Sequence, residues 1–218
     1  MRRPLDRLYH TTSLHYLPSI VACEALLPAV DLAPSGIMPR SSVAKRDRKL
    51  GLNIYVHLSP RFLTPLLRDK LAKGYAHAVI AFDAAQVLAL PTAALLPYNP
   101  KSWRHREDFR PIDEPSARDA MLLEYSRGRF PSLEVVVKGA VPLTMATALI
   151  VRNSENEADI VSVVNAIEGV LRLPIVVDAM AFGTAGPPHE PSRDATKAYF
   201  DQCRHERRLL PPPMIPFD

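Results

Sequence analysis

Cysteine is nearly absent: the 218-residue sequence holds two, Cys23 and Cys203. They lie far apart, with no partners at metal-ligand spacing, so neither a disulfide framework nor a zinc site is expected and no metal is implied. Reduced thiols fit a protein of the reducing cytosol. No run approaches the roughly 18 apolar residues of a membrane span. The opening Met1-Arg2-Arg3-Pro4-Leu5-Asp6 also lacks the continuous apolar stretch of a secretory signal. A cytoplasmic protein with no membrane partner is therefore expected. Nothing repeats at a period of about 20 to 50 residues, which removes solenoids and propellers from consideration.

Proline, by contrast, is abundant: 22 residues, about twice the usual share of about 5%. The prolines fall at segment ends and in the tail, which suits rigid connections better than a low-complexity chain. A hydrophobic fraction of 47% and a charged fraction of 23% are ordinary for a globular protein, and the length suits one domain with a well-buried core. The formal net charge of +4 favours a polyanionic partner. Its placement is more informative. One basic stretch contains Arg40, Lys45, Arg46, Arg48 and Lys49; another sets Lys101, Arg104, His105, Arg106 and Arg110 beside Tyr98, Trp103 and Phe109. Basic groups interleaved with rings neutralise phosphates and stack unpaired bases, while a solvated charged loop accounts for the same pattern equally well.

Hydrophobic periodicity predicts a strand over 7–10, a helix opening at Thr11-Thr12-Ser13 and running to about Leu26, and a loop or short helical turns over 28–50. A strand leading directly into a helix N-terminus would offer backbone N–H groups to an anion. Further strands are expected over 53–59, ending at Pro60, and over 76–82, 133–137 and 174–177, with 147–151 a strand or, alternatively, a helix. Helical segments are expected over 61–73, 83–88, 116–127, 160–171 and 192–208, and Pro211-Pro212-Pro213 should be extended. Residues 97–115, polar, aromatic and proline-punctuated, form a long excursion of the kind that carries binding surfaces. This order predicts an α+β domain.

Three local patterns arrive in a telling order. The first is Leu8-Tyr9-His10-Thr11-Thr12 followed by Leu17-Pro18-Ser19-Ile20 and Leu26-Leu27-Pro28. The second is Val56-His57-Leu58-Ser59-Pro60-Arg61, and the third runs from Leu133-Glu134-Val135-Val136-Val137 to Val141-Pro142-Leu143. With Ala78–Asp83 and Leu96-Pro97-Tyr98-Asn99 between the last two, the series resembles the DarT-type nucleic-acid ADP-ribosyltransferases over about residues 7–151. The His-Leu-Ser strand is also similar to that of RNA 2'-phosphotransferases, a sister family on the same NAD-binding fold. Two stretches depart from the DarT pattern: His15-Tyr16 stands where the family has Asp-Asn, and the segment after residue 90 is rewritten around Trp103.

The resemblance implies an ADP-ribosyltransferase-like fold over 1–183, with split antiparallel and mixed sheets and flanking helices, and a C-terminal helix and proline-rich tail over 184–218 packed on the same domain. It implies NAD as substrate. Transfer of ADP-ribose passes through an oxocarbenium-like state, which a strand-borne carboxylate can stabilise while accepting a proton; Glu134 is the implied catalytic group. Arg46, with Arg48 as the alternative, would grip the pyrophosphate with its guanidinium fork. His10 would meet the adenine-side ribose, and Thr11 and Thr12 the nicotinamide or phosphate end. Tyr55 and His57 stand where the family carries an aromatic run beside the cofactor, although His57 would equally well end an exposed strand face. Lys101, Trp103, Arg104 and Arg106 are the expected nucleic-acid contacts.

The function implied is ADP-ribosylation of a nucleic-acid base, foremost in single-stranded DNA, as a toxin with an antitoxin or immunity protein as partner. The alternatives are an RNA, protein or small-molecule acceptor, or an inactive relative that only binds nucleic acid or nucleotide. A 2'-phosphotransferase would need several Arg and His residues around its phosphate and no catalytic Glu, so Glu134 speaks against it.

Overall fold

A computed structural model describes residues 5–32, 48–73, 76–97, 111–166 and 173–183. In chain order its strands are β1 (Arg7–Ser13), β2 (Ala25–Leu26), β3 (Tyr55–Leu58), β4 (His77–Asp83), β5 (Ala93–Leu96), β6 (Glu134–Lys138), β7 (Val141–Pro142), β8 (Ala146–Val151) and β9 (Ile175–Val177). The helices are α1 (Leu17–Ala22), α2 (Ala29–Leu32), α3 (Pro65–Ala72), α4 (Ala84–Leu88), α5 (Pro115–Ser126) and α6 (Ser154–Ala166). The expected α+β class is what the chain adopts.

The chain divides into two compact units, each assembled from separated segments: Met1–Tyr9, Leu26–Arg61 and Phe82–Met145 in the first, His10–Ala25, Phe62–Ala81 and Ala146–Asp218 in the second.

The first unit contains an antiparallel sheet of order β3-β6-β5. Its central strand β6 carries three consecutive valines, Val135, Val136 and Val137, all fully buried. Such a continuous β-branched run marks a strand covered on both faces. On one face Val136 packs with Leu50, Leu52, Ala94 and Leu96, with Tyr55 at the margin. Burying side chains of this size stabilises the fold by about 1.5–3 kcal/mol each. The strand β5 escapes sequence reading because Ala93-Ala94-Leu95-Leu96 has little β-propensity; pairing with β6 and burial impose the strand. Ile112 extends this edge by exchanging backbone bonds of 2.9 Å with Leu95.

A four-stranded sheet has the order β1-β4-β8-β9. The interior position of β4 explains its uninterrupted burial from His77 to Phe82. Strands β8 and β9 are parallel, pairing Leu149 with Ile175 and Val151 with Val177, a geometry that needs a crossover, supplied here by the segment containing α6. The rings of Phe62 and Phe182 meet edge to face at 5.2 Å.

Two of the prolines follow helix logic. Pro65 and Pro115 occupy the first turns of α3 and α5, where a missing N–H costs nothing. The residues before them cap: Thr64 Oγ1 accepts from Leu67 N at 3.1 Å, and Glu114 accepts from Ser116 N at 3.0 Å and Ala117 N at 2.7 Å.

Two expectations need correction. Thr11-Thr12-Ser13 does not start a helix but continues β1 to Ser13, as two β-branched residues beside a paired strand would. A 3₁₀ turn at Leu14–Tyr16 follows, and α1 is a six-residue helix whose first turn contains Pro18 and whose N-cap Tyr16 makes no side-chain cap. The other correction concerns α6, which begins at Ser154, earlier than the apolar period suggested. Asn153 Oδ1 accepts from Asn156 N at 2.9 Å, and Glu155 and Glu157 favour the positive end of the helix.

Candidate active site

The candidate site is built on one face of the β3-β6-β5 sheet. Leu133, buried, closes a turn by donating its N–H to the Phe130 carbonyl at 2.9 Å, and β6 begins at the next residue, Glu134. That turn is held from behind. Glu124, near the end of α5, pairs with Arg127 at 2.6 Å and with Arg129 at 2.7 Å. Phe130 adopts a left-handed φ of 52°, which sharpens the reversal into β6 at some steric cost.

Register then decides which side chains meet. His57 lies opposite Val136, and Leu96 lies opposite Glu134. Because side chains alternate, Glu134, two residues before Val136, shares the face of His57 and stands diagonal to it. The contact is made: His57 Nδ1 lies 3.1 Å from Glu134 Oε2. The side chains are 29% and 17% exposed, so the pair is sheltered yet open to a ligand. Its neighbours on the face, Leu96 and Val136, are fully buried and apolar, surroundings in which a hydrogen bond gains strength.

Tyr55, two residues before His57, occupies the same face and packs against the apolar cluster. Burial raises the pKa of its phenol, and the negative charge of Asp113 adds to the effect. Tyr55 thus keeps its O–H across the neutral range. Leu50 and Leu52 belong to the cluster as well. They anchor the segment that begins with exposed Arg48, whose carbonyl accepts from Gly51 N at 3.2 Å. At the far end of β3, Ser59 and Tyr9 exchange two backbone bonds of 2.8 Å. Ser59 Oγ also accepts from Arg61 N at 3.0 Å, shaping the bend around Pro60.

Among the expected site residues, Glu134, His57, Tyr55 and Arg48 therefore belong to the first unit, the first three on one sheet face. His10, Thr11 and Thr12 lie on β1 in the second unit. Of these His10 is half-buried, whereas Thr12 is buried with its hydroxyl donating to the Ser13 carbonyl at 3.3 Å. Arg46, Lys101, Trp103, Arg104 and Arg106 lie outside the described residues. Sequence reasoning left two readings for His57; its side chain faces Glu134, a pairing that no local motif signals. The Tyr9–Ser59 exchange was likewise beyond it, since it depends on the tertiary fold. Among the described residues no group of three or more His, Cys, Asp and Glu side chains is placed to hold a metal ion. Among them, too, no helix is long and apolar enough to cross a membrane.

No protein-family model matches the sequence, and no curated protein matches it. Solved structures do match in shape. Thermus sp. 2.9 DarT in complex with ADP-ribosylated ssDNA superposes with a TM-score of 0.64 at 13% identity, over 83% of this chain and 99% of that one. The same protein in complex with NAD+ gives 0.61 at 12% identity, with the same coverage. Thermosipho africanus DarTG in complex with ADP-ribose gives 0.60 at 17% identity over 81% of this chain, which spans 51% of the DarTG chain. The chain thus has the DarT fold, as the order of its motifs led one to expect.

Proposed function

We propose that this chain, built on the DarT fold, is an NAD-dependent ADP-ribosyltransferase that modifies a base of nucleic acid, single-stranded DNA foremost. The observation that carries the reading is the sheltered carboxylate of Glu134, held at 3.1 Å by His57 on a strand whose neighbours fix its place. Two matched DarT structures, in complex with NAD+ and with ADP-ribosylated ssDNA, support the choice of donor and acceptor.

In the proposed reaction the bond between the nicotinamide nitrogen and ribose C1' breaks, and nicotinamide leaves as a neutral molecule with the electron pair. A nucleophilic atom of the acceptor base bonds to C1'. Glu134 stabilises the positive charge that develops on the ribose, accepts the proton the acceptor sheds, and passes it to water. Arg46 or Arg48 neutralises the pyrophosphate. Tyr55 and His57 lie beside the reacting end of the dinucleotide. Lys101, Trp103, Arg104 and Arg106 hold the nucleic acid by its phosphates and unstacked bases.

In the cell we take the protein to be a cytoplasmic toxin restrained by an antitoxin or immunity protein; the likeness to DarTG supports this. The test is nicotinamide release from labelled NAD, alone and with single-stranded DNA, RNA or protein added. DNA-dependent release and label transfer, both lost in Glu134→Ala with the fold retained, are expected. Label on RNA or protein instead would move the acceptor, and nucleic-acid binding without turnover would make the chain a binder.

A further inference from the structure

We propose that His57 is the positioning residue of this site: its Nδ1–H holds the Glu134 carboxylate in the orientation needed at ribose C1', and His57 acts through Glu134, not by gripping the dinucleotide. The inference rests on the ADP-ribosyltransferase reading and adds to it the device that aims its carboxylate.

The geometry supports this in three ways. An ionised carboxylate only accepts hydrogen bonds, so at 3.1 Å from Oε2 the Nδ1 atom must carry the proton. That condition holds for the neutral Nδ1–H tautomer and for imidazolium alike. The two backbones are also fixed relative to each other. β3 is laddered to β6 from Tyr55–Lys138 to Leu58–Val135, and the residue after Leu58 exchanges two bonds with Tyr9. Finally, a glutamate side chain has three rotatable bonds, and the apolar side chains that flank Glu134 on this face, Leu96 and Val136, offer it no hydrogen bond. On this face the His57 imidazole, 3.1 Å from Oε2, is a polar side chain that restricts it. A second-layer partner of this kind holds a reacting group within the narrow tolerance that catalysis requires.

Replacement of the donor should therefore lower kcat and leave NAD binding nearly intact. His57→Phe keeps a ring and removes the donor. His57→Asn keeps a donor nitrogen bonded directly to Cγ, as Nδ1 is in histidine. With steady-state nicotinamide release as readout, H57F should lose about 10- to 100-fold in kcat with KM for NAD within about twofold of wild type, and H57N should recover most of the loss. Should H57F fail to fold, as judged by circular dichroism, H57L takes its place as the donor-less variant. Wild-type kcat in the donor-less variant, an equal loss in H57N, or a loss confined to KM would each overturn the inference while leaving the proposed function standing. A wild-type protein that releases no nicotinamide with any acceptor would instead overturn the proposed function, and this inference with it.

Discussion

Leu58 lies opposite Val135 in the β3–β6 ladder, and this single pairing brings the preceding residue of one strand and the preceding residue of the other, His57 and Glu134, onto one face within hydrogen-bond reach. A slip of one residue would send the imidazole to the opposite face. The adjacent residues Glu134 and Val135 should therefore respond to substitution in opposite ways. Glu134→Gln is expected to cut nicotinamide release by about 10²–10³-fold with little change in the unfolding midpoint, because its side chain is not core. Val135→Asp places a charge where no water reaches and should prevent stable folding. Thermal melts beside activity assays separate the two; a destabilised Glu134→Gln would show that the carboxylate is structural.

Leu96 faces Glu134 from β5 and is fully buried with Leu50, Leu52, Ala94 and Val136. Truncation to alanine removes methyl groups that a three-stranded sheet has little freedom to replace. Leu96→Ala should cost about 2–5 kcal/mol in urea unfolding, seen as a lower midpoint at unchanged slope. A cost below about 1 kcal/mol would mean that the cluster collapses around the gap.

Gly139 follows β6 with φ +93°, and a Cβ built there meets nothing within 4 Å. The demand on this position is thus conformational and not steric. Gly139→Ala should lose about 1–2 kcal/mol, and Gly139→Asn less, since Asn enters the left-handed region more readily. Equal losses for the two would point to a contact in place of backbone strain.

Glu114 caps α5, the helix that leads into the turn before Glu134. Its carboxyl pKa is lowered, first by the Ser116 hydroxyl and then by the backbone N–H groups of Ala117 and Ser116. The sign follows: the folded protein binds this proton less readily than the unfolded chain does. The cap's contribution is therefore fully present above the ordinary glutamate range and is lost as pH falls through the lowered folded value. Glu114→Ala should melt below wild type at neutral pH, and the gap should close on acidification. A gap that persists at low pH would assign the cap's effect to something other than its charge.

Sequence alone determined the elements whose signals are local. The run 76–82 reads as a buried strand, the helices expected over 61–73 and 116–127 form over Pro65–Ala72 and Pro115–Ser126, and the β-branched stretch after Glu134 carries it at a strand's start. Local signals failed where neighbours in space outweighed neighbours in sequence: Ala93–Leu96 became a strand through pairing, and Thr11–Ser13 stayed in one. What only the tertiary structure decided is that His57 and Glu134, 77 residues apart, touch. Propensity is set by a residue and its immediate chain, whereas strand register is a minimum over every cross-strand contact at once, and it is register that turned two ordinary polar residues into a paired imidazole and carboxylate.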